Sequence, residues 1–320
     1  MTRRWTVGVD FGGTNIKVGL VDAAGRVVRT QLLSSRVLSR PAPFVEGVAR
    51  AVESLASTVR LRPVQLRGVG VGAPGPVEIT RGVIHSLVNV PGWYEVPLRR
   101  LLERRLRCPC VVDNDVNLFT LAEWRFGAGR RANQLVGVTL GTGVGGGLIF
   151  DGRLYRGATG AAGEIGHMVI HPQGRRCGCG TRGCLEAQVG TAAIVSMGRR
   201  AIRQGDRRLA SLLRQSAGRL TPELVSRAAR QGDAKARAIF QEVGHWLGVG
   251  LANAVNLLNP DRIVIGGGIA NAWPLLYPTL IRTLRTQAMA VSAKAVRIVR
   301  GQLGDRAGIV GAAVVVWDET

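Results

Sequence analysis

The sequence predicts a mixed α/β protein built as two similar halves, and three observations carry that reading. Short β-branched strands alternate with helical stretches along all 320 residues, the pattern of layered α/β folds. The stretch Gly8-Val9-Asp10-Phe11-Gly12-Gly13-Thr14 recurs in form as Gly137-Val138-Thr139-Leu140-Gly141-Thr142-Gly143. Each copy is an apolar strand, a glycine-rich tight turn and a second strand (Val18 to Val21; Leu148 to Phe150), which reads as a duplicated fold with one glycine turn in each half. Hydrophobic residues make up 46% of the chain, enough for buried cores. No linker rich in Pro, Ser or charge parts the halves, so two closely joined lobes are expected: residues 1–115, with 303–320 packing back onto them, and residues 116–302.

Taken in order, Thr6 to Asp10 is a β-branched strand that enters the first glycine turn, and Ile16 to Val21 and Arg26 to Gln31 are the next two strands. Pro43 to Val59 has helical periodicity. Gly68 to Gly72 is a buried strand closed by Ala73-Pro74-Gly75-Pro76. A Leu- and Arg-rich helix follows Pro97, then the strand Cys110 to Val112, the acidic Asp113-Asn114-Asp115, and a helix containing Ala122 and Glu123. The strand Leu135 to Leu140 ends in the run Gly141 to Gly147. Beyond a cysteine cluster the chain turns helical, with Thr221-Pro222-Glu223 as a start signal of capping residue and first-turn proline. A long helix runs from about Asp233 to Asn259-Pro260, the strand Arg262 to Ile265 enters Gly266-Gly267-Gly268, and a last helix covers about Ala307 to Trp317.

Composition excludes several classes. The longest uninterrupted apolar stretch, Gly308 to Trp317, falls short of the ~18 residues a membrane helix needs. No signal peptide is read at the N-terminus, where Asp10 breaks the apolar run without a cleavage site; a soluble, cytoplasmic protein is expected. The formal net charge is +22, and 40 of the 43 basic residues are arginine. These arginines are scattered, without aromatic interleaving or a basic tail, and the densest run, Arg199 to Arg219, reads as solvated faces of amphipathic helices. Specific nucleic-acid binding is therefore not expected.

Three glycine turns, at Gly12-Gly13, Gly141 to Gly147 and Gly266 to Gly268, let backbone amides approach phosphate oxygens with no Cβ in the way. The second runs strand to strand, which disfavours a dinucleotide-binding motif. Asp10 stands where a carboxylate would meet a phosphate-bound magnesium, or it caps the turn. Asp113-Asn114-Asp115 ends an apolar strand, where α/β sheets place ligands, and an Asx cap is the alternative reading. The sharpest local signal is His167-x9-Cys177-x-Cys179-x4-Cys184, which suits a tetrahedral structural zinc, with His171 as a rival fourth ligand. Cys108 and Cys110 read as small hydrophobes.

In combination, Asp10 to Thr14, Asn114-Asp115, Gly141 to Gly147, Gly163-Glu164-Ile165-Gly166-His167 and Cys177-Gly178-Cys179-Gly180-x-x-Gly183-Cys184-x-Glu186 resemble the ROK family of sugar kinases and repressors, and within it the bacterial ATP-dependent glucokinases. The likeness runs from about residue 5 to 315. It implies an actin-like ATPase fold, with duplicated ribonuclease-H-like lobes around a cleft and a structural zinc loop. By motif, it implies that Asp10, Gly12, Gly13, Thr14, Lys17, Gly141, Thr142, Gly143 and Gly145 hold the ATP phosphates and Mg2+, with Gly267 and Gly268 near the nucleoside. It further implies Asp115 as catalytic base, and Asn89, Asn114, Asp115, Glu164, His167 and Glu186 as ligands of the hexose hydroxyls. His167 would serve sugar and Zn2+ alike, with Cys177, Cys179 and Cys184 completing the metal site. A homodimer is expected from the resemblance. Gly244, Gly248 and Ala252, spaced by four, fit an interface or an internal packing face equally well.

One departure bears on donor preference: Asn15 follows the Gly-Gly-Thr turn where many relatives carry lysine, and Lys17 comes two residues later. A repressor of the family would carry a helix-turn-helix region before the first glycine turn, and Asp10 stands close to the start. Polyphosphate-using relatives generally lack the cysteine cluster, which argues for ATP. Kinases of N-acetylmannosamine, N-acetylglucosamine or fructose share almost every motif, so the hexose itself stays open at this level.

Overall fold

The computed structural model describes residues 5–13, 15–35, 40–61, 65–87 and 92–320. The chain forms two compact units: Met1–Asn133 with Gly147–Gly163 and Gly301–Thr320, and Gln134–Gly146 with Glu164–Arg300. The chain forms two five-stranded sheets, and the two share one topology.

In the first sheet, β1 (Trp5–Phe11), β2 (Asn15–Asp22) and β3 (Val27–Ser34) form an antiparallel meander, and β4 (Leu66–Ala73) and β8 (Cys110–Asn114) add parallel to β1, giving the order β3-β2-β1-β4-β8. In the second, β9 (Gln134–Leu140), β10 (Val144–Phe150), β11 (Arg153–Tyr155), β12 (Arg262–Gly266) and β13 (Arg297–Arg300) repeat that order as β11-β10-β9-β12-β13, with β12 parallel to both β9 and β13. The duplication read from the two glycine turns therefore extends to the whole sheet. A three-stranded sheet of β5 (Val77–Glu78), β6 (Val83–Ser86) and β7 (Tyr94–Val96) was not anticipated; strands of two to four residues carry too little alternation to read.

In the first unit, α1 (Pro41–Thr58) and α2 (Leu98–Leu106) close a core in which Phe11, Phe44 and Trp93 form an aromatic triangle with ring centroids 4.6, 5.1 and 5.2 Å apart. The apolar C-terminal run is α11 (Ala307–Glu319), whose residues Ile309 to Val316 are all buried. It is apolar all round because it is covered all round: Gly8 and Gly70 of the sheet meet it on one side, and its own Gly311 meets Leu118 of α3 (Asp115–Phe126) on the other. Among the described residues no helix is long and apolar enough to cross a membrane. Glu123 of α3 is fully buried and accepts three backbone N–H groups, from Ala128, Gln302 and Leu303, at 2.8–3.1 Å.

The second unit is helical beyond its sheet: α4 (Leu185–Val189), α5 (Thr191–Arg203), α6 (Arg207–Gln215), α7 (Pro222–Arg230), α8 (Ala234–Leu258), α9 (Trp273–Gln287) and α10 (Ala290–Ala295). Thr221 and Asp233 cap α7 and α8 with their side chains. On α8, a Cβ at Gly244 would lie 2.5 Å from the Leu276 carbonyl oxygen, and one at Gly248 2.7 Å from Thr283 Cβ. The small-residue stripe is thus an internal face packed on α9. Arg199, Arg200, Arg203, Arg207 and Arg208 lie exposed on α5 and α6 while Ile194, Met197, Leu209 and Leu212 are buried, the amphipathic arrangement expected.

A Cβ at Gly70 would stand 1.7 Å from the Ala312 carbonyl oxygen, so Gly70→Ala must push α11 off the sheet. Overpacking of this kind costs about 1–3 kcal/mol. Urea denaturation of the variant should show that loss, and an unchanged midpoint would show that α11 does not seat on β4 so closely.

Candidate functional site

In the first unit, β1 delivers Asp10 to the mouth of the glycine turn, where the turn is closed by the Gly12 N–H donating to Asn15 O and the Ser35 hydroxyl donating to Gly12 O at 2.7 Å. Burial pushes the Asp10 carboxyl above its ordinary value; Lys17 opposes the shift and Asp305 adds to it. The carboxylate abuts the first turn of α11, since a Cβ at Gly308 would lie 2.6–2.9 Å from its atoms, and a helix N-terminus favours a negative charge there. Lys17 Nζ lies 3.9 Å from Asp305 Oδ1. Sequence reasoning missed Asp305 and Ser35, because each is a single polar residue far along the chain from its partner. A carboxylate beside a lysine and a helix N-terminus is a donor set suited to a hydrated Mg2+ and phosphate. Thr14 and Asn89, both expected site residues, lie outside the described residues.

Asn114 and Asp115 stand at the junction of β8 and α3. Asn114 is the helix cap: its Oδ1 accepts from the Val116 and Asn117 N–H groups, and its amide donates to Gly75 O at 3.2 Å. Asp115 opens the helix, with its Oδ1 accepting from the Val116 N–H. Their neighbour Asp113 is fully buried, which pushes its carboxyl up, and the Arg156 guanidinium at 2.9 Å pulls it back; Asn117 and the Asn114 N–H also donate to it. Arg156 carries no local motif and was not singled out in the sequence.

In the second unit the structure brings together most of the remaining expected residues around Val144. The Val144 N–H donates to Glu186 Oε2 at 3.0 Å, and a Cβ at Gly143 would lie 2.6 Å from that same oxygen. On the other side, a Cβ at Gly166 would stand 1.9 Å from the Val144 carbonyl oxygen. The short 3-10 turn Ile165–His167, led by Glu164, therefore presses on the first residue of β10. His167 Nε2 lies 3.9 Å from Glu164 Oε2, both side chains being exposed. Gly141, Thr142 and Gly143 form the turn between β9 and β10, whereas Gly145 lies within β10, and the Thr191 N–H and Oγ–H both donate to Gly141 O, at 3.0 and 2.9 Å.

The ligand atoms of His167, Cys177, Cys179 and Cys184 all lie within 4.8 Å of one another. Cys179 Sγ is 3.7 Å from Cys184 Sγ, and Cys177 Sγ is 3.8 Å from His167 Nδ1. A tetrahedral zinc with Zn–S bonds of about 2.3 Å sets its ligands about 3.8 Å apart, so the donor set fits that ion. Burial pushes the Cys177 thiol up to about 12, whereas the Thr181 backbone holds Cys179 down at about 7. His171, the rival ligand, instead stacks on Trp246 of α8 with ring centroids 4.8 Å apart and planes at 14°.

Gly267 backs onto Leu140, and Gly268 opens a cavity of about 350 Å³. Pro222, Phe240, Ile269 and Ala272 give it an apolar lining, and Glu223 and Ser226 add polar groups, a mixture suited to a planar heterocycle.

The fold is that of the actin-like ATPases, as solved relatives show: a ROK family glucokinase from Streptomyces griseus, in complex with glucose and AMPPNP, matches with a TM-score of 0.83 at 33% identity, covering 98% of this chain and 99% of that one. Residues 6–319 match the ROK family, and the chain belongs to it. The glucokinase of Halalkalibacterium halodurans is 35% identical over 97% of this chain and 94% of that protein. The xylose repressor of Caldicellulosiruptor bescii is 28% identical over 97% of this chain and 77% of its own length.

The cluster geometry separates the two histidines. Cys179→Ser should lose bound zinc and thermal stability together, while His171→Ala should keep one metal per chain, as read by elemental analysis of the purified variants. Full zinc content in Cys179→Ser would remove that thiol from the site.

Proposed function

We propose that the chain is a sugar kinase that transfers the γ-phosphoryl group of ATP to the 6-hydroxyl of glucose. The observation that carries this reading is the convergence on Val144 of a phosphate-type glycine turn with Glu186 and the Glu164–His167 turn. Carboxylates and an imidazole are the groups that grip the vicinal hydroxyls of a sugar with paired hydrogen bonds. A glycine turn offering backbone N–H groups is what a phosphate chain requires. Both stand in one small neighbourhood of the second unit, and the relatives named glucokinase match over nearly their full length.

In this reading Asp115 accepts the proton of the 6-hydroxyl as that oxygen attacks the γ-phosphorus in line. Asp115 stands in the first turn of α3, where a helix N-terminus attracts negative charge. Asn114, Glu164, His167 and Glu186 orient the sugar, and the amide of Asn114 keeps one N–H for a hydroxyl beyond the one given to Gly75. Asp10 and Lys17 attend the donor phosphates, where bound Mg2+ would neutralise charge that builds during transfer. The cavity beside Gly268 receives the base. Zinc in the cysteine cluster would stiffen the loop that ends at Glu186 and perform no chemistry itself.

Asp115→Asn keeps the shape and loses the base, so turnover should fall by about 10²–10⁴-fold while glucose binding persists. A coupled assay should run glucose, mannose, fructose, N-acetylglucosamine and N-acetylmannosamine against ATP, and glucose against polyphosphate. Near-normal turnover by Asp115→Asn would dismiss it as the base. Preference for an amino sugar or fructose would keep the mechanism and change the substrate. Glucose binding without turnover of any sugar would make the chain a sugar sensor on a kinase fold.

A further inference from the structure

The turn between β9 and β10 is held from outside itself. Of its own hydrogen bonds, the Gly141 N–H donating to Gly143 O at 2.9 Å closes it locally. Two further fastenings come from the segment spanning α4 and α5. At the far end of the turn, Glu186 of α4 accepts the Val144 N–H. At the near end, Thr191, the first residue of α5, donates both its backbone N–H and its hydroxyl to the single oxygen of Gly141. Gly190 between the helices lets the two backbones come close, since a Cβ there would stand 3.3 Å from the Thr142 carbonyl oxygen.

A carbonyl held this way dictates the direction of the next amide. In a planar trans peptide the C=O of one residue and the N–H of the next point in opposite directions. With Gly141 O drawn to Thr191, the Thr142 N–H must point away from α5, and Thr142 lies exposed on the open side of the turn. Glycine at 141 would leave this peptide plane free to turn on that side were nothing holding it. Two donors on one oxygen remove that freedom before any ligand arrives, and a preorganised donor spends less of its binding energy on ordering.

We propose that Thr191 is a positioning residue for the phosphoryl donor, its two bonds to Gly141 O fixing the turn so that the Thr142 amide faces the donor phosphates. The proposal rests on the reading of this turn as the donor-phosphate site. It assigns Thr191 to the nucleotide side of the reaction: both its bonds go to Gly141 O, whereas the sugar-directed groups Glu164 and His167 stand on a separate turn.

The test is equilibrium binding to the full-length protein, by calorimetry, of AMPPNP with magnesium and, separately, of glucose. Thr191→Val preserves shape and deletes the hydroxyl, Thr191→Ala deletes it without crowding the turn, and Thr191→Ser restores it. Loss of one neutral hydrogen bond predicts AMPPNP affinity lowered about five- to tenfold in the first two variants, with glucose affinity within about twofold of wild type and the serine variant close to wild type. Unchanged nucleotide affinity in Thr191→Val and Thr191→Ala would overturn the proposal while leaving the kinase reading intact. So would parallel loss of both ligands, or a serine variant that fails to recover, since each marks a merely structural role. Wild-type protein that binds glucose but not AMPPNP would overturn the donor reading of the turn, and this proposal with it.

Discussion

The carboxylate of Glu186 fills the space that a side chain at Gly143 would take, and the second unit's site is arranged around that substitution of a carboxylate for a Cβ. Because Gly143 offers no side chain, the carboxylate reaches the Val144 N–H. Because Gly166 offers none either, the turn bearing Glu164 and His167 reaches the Val144 carbonyl from the other side. One residue at the start of β10 thus sets the register of three chain segments distant in sequence. The cysteine cluster is tied in as well: Cys184 occupies the N-cap position of α4, two positions before Glu186, and Cys177 Sγ lies 3.4 Å from Glu186 Oε1. A metal that fixes Cys184 fixes the origin of α4, and with it the position of the carboxylate.

The first unit solves its positioning problem with a buried charge. Asp113 has no solvent access, and an isolated carboxylate there would cost several kcal/mol. Arg156, Asn117 and the Asn114 N–H together satisfy it, and Arg156 also reaches Glu319 at 3.1 Å. That anchoring lies one and two residues before Asn114 and Asp115, so the start of α3 is held by groups outside the expected site residues. The capping role of Asn114 and its expected role toward a sugar are compatible for the same reason. A cap uses the side-chain oxygen, and a donor to a ligand uses the nitrogen.

What was legible in the sequence was local. The glycine turns, the strand-end acids and the cysteine spacing each declare themselves within a few residues, because turn geometry and metal coordination constrain neighbours directly. The choice between His167 and His171 could not be made that way, since both lie within reach of the cysteines by spacing; the fold groups His167 with the three thiols and stacks His171 on Trp246, 75 positions downstream. The stripe Gly244, Gly248 and Ala252 was ambiguous on the same ground, for small residues permit close packing without naming the partner. Thr191, Ser35, Arg156 and Asp305 gave no signal at all. Each is an ordinary polar residue whose meaning comes from one partner brought close by the fold.

Relatives with kinase and repressor names match the same length of this chain, so fold and sugar-directed residues alone do not separate an enzyme from a sensor. A sensor needs the hydroxyl-gripping groups and a stable loop to carry them, and the cysteine cluster with Glu164, His167 and Glu186 would serve it as well as a kinase. An enzyme needs two things more: a base at the acceptor and a rigid cradle for the donor. Selection for donor binding would be felt most where the turn would otherwise be loose, at a glycine peptide free to flip. The doubled bond from Thr191 to Gly141 falls on that peptide, and a protein that only sensed sugar would draw no benefit from it.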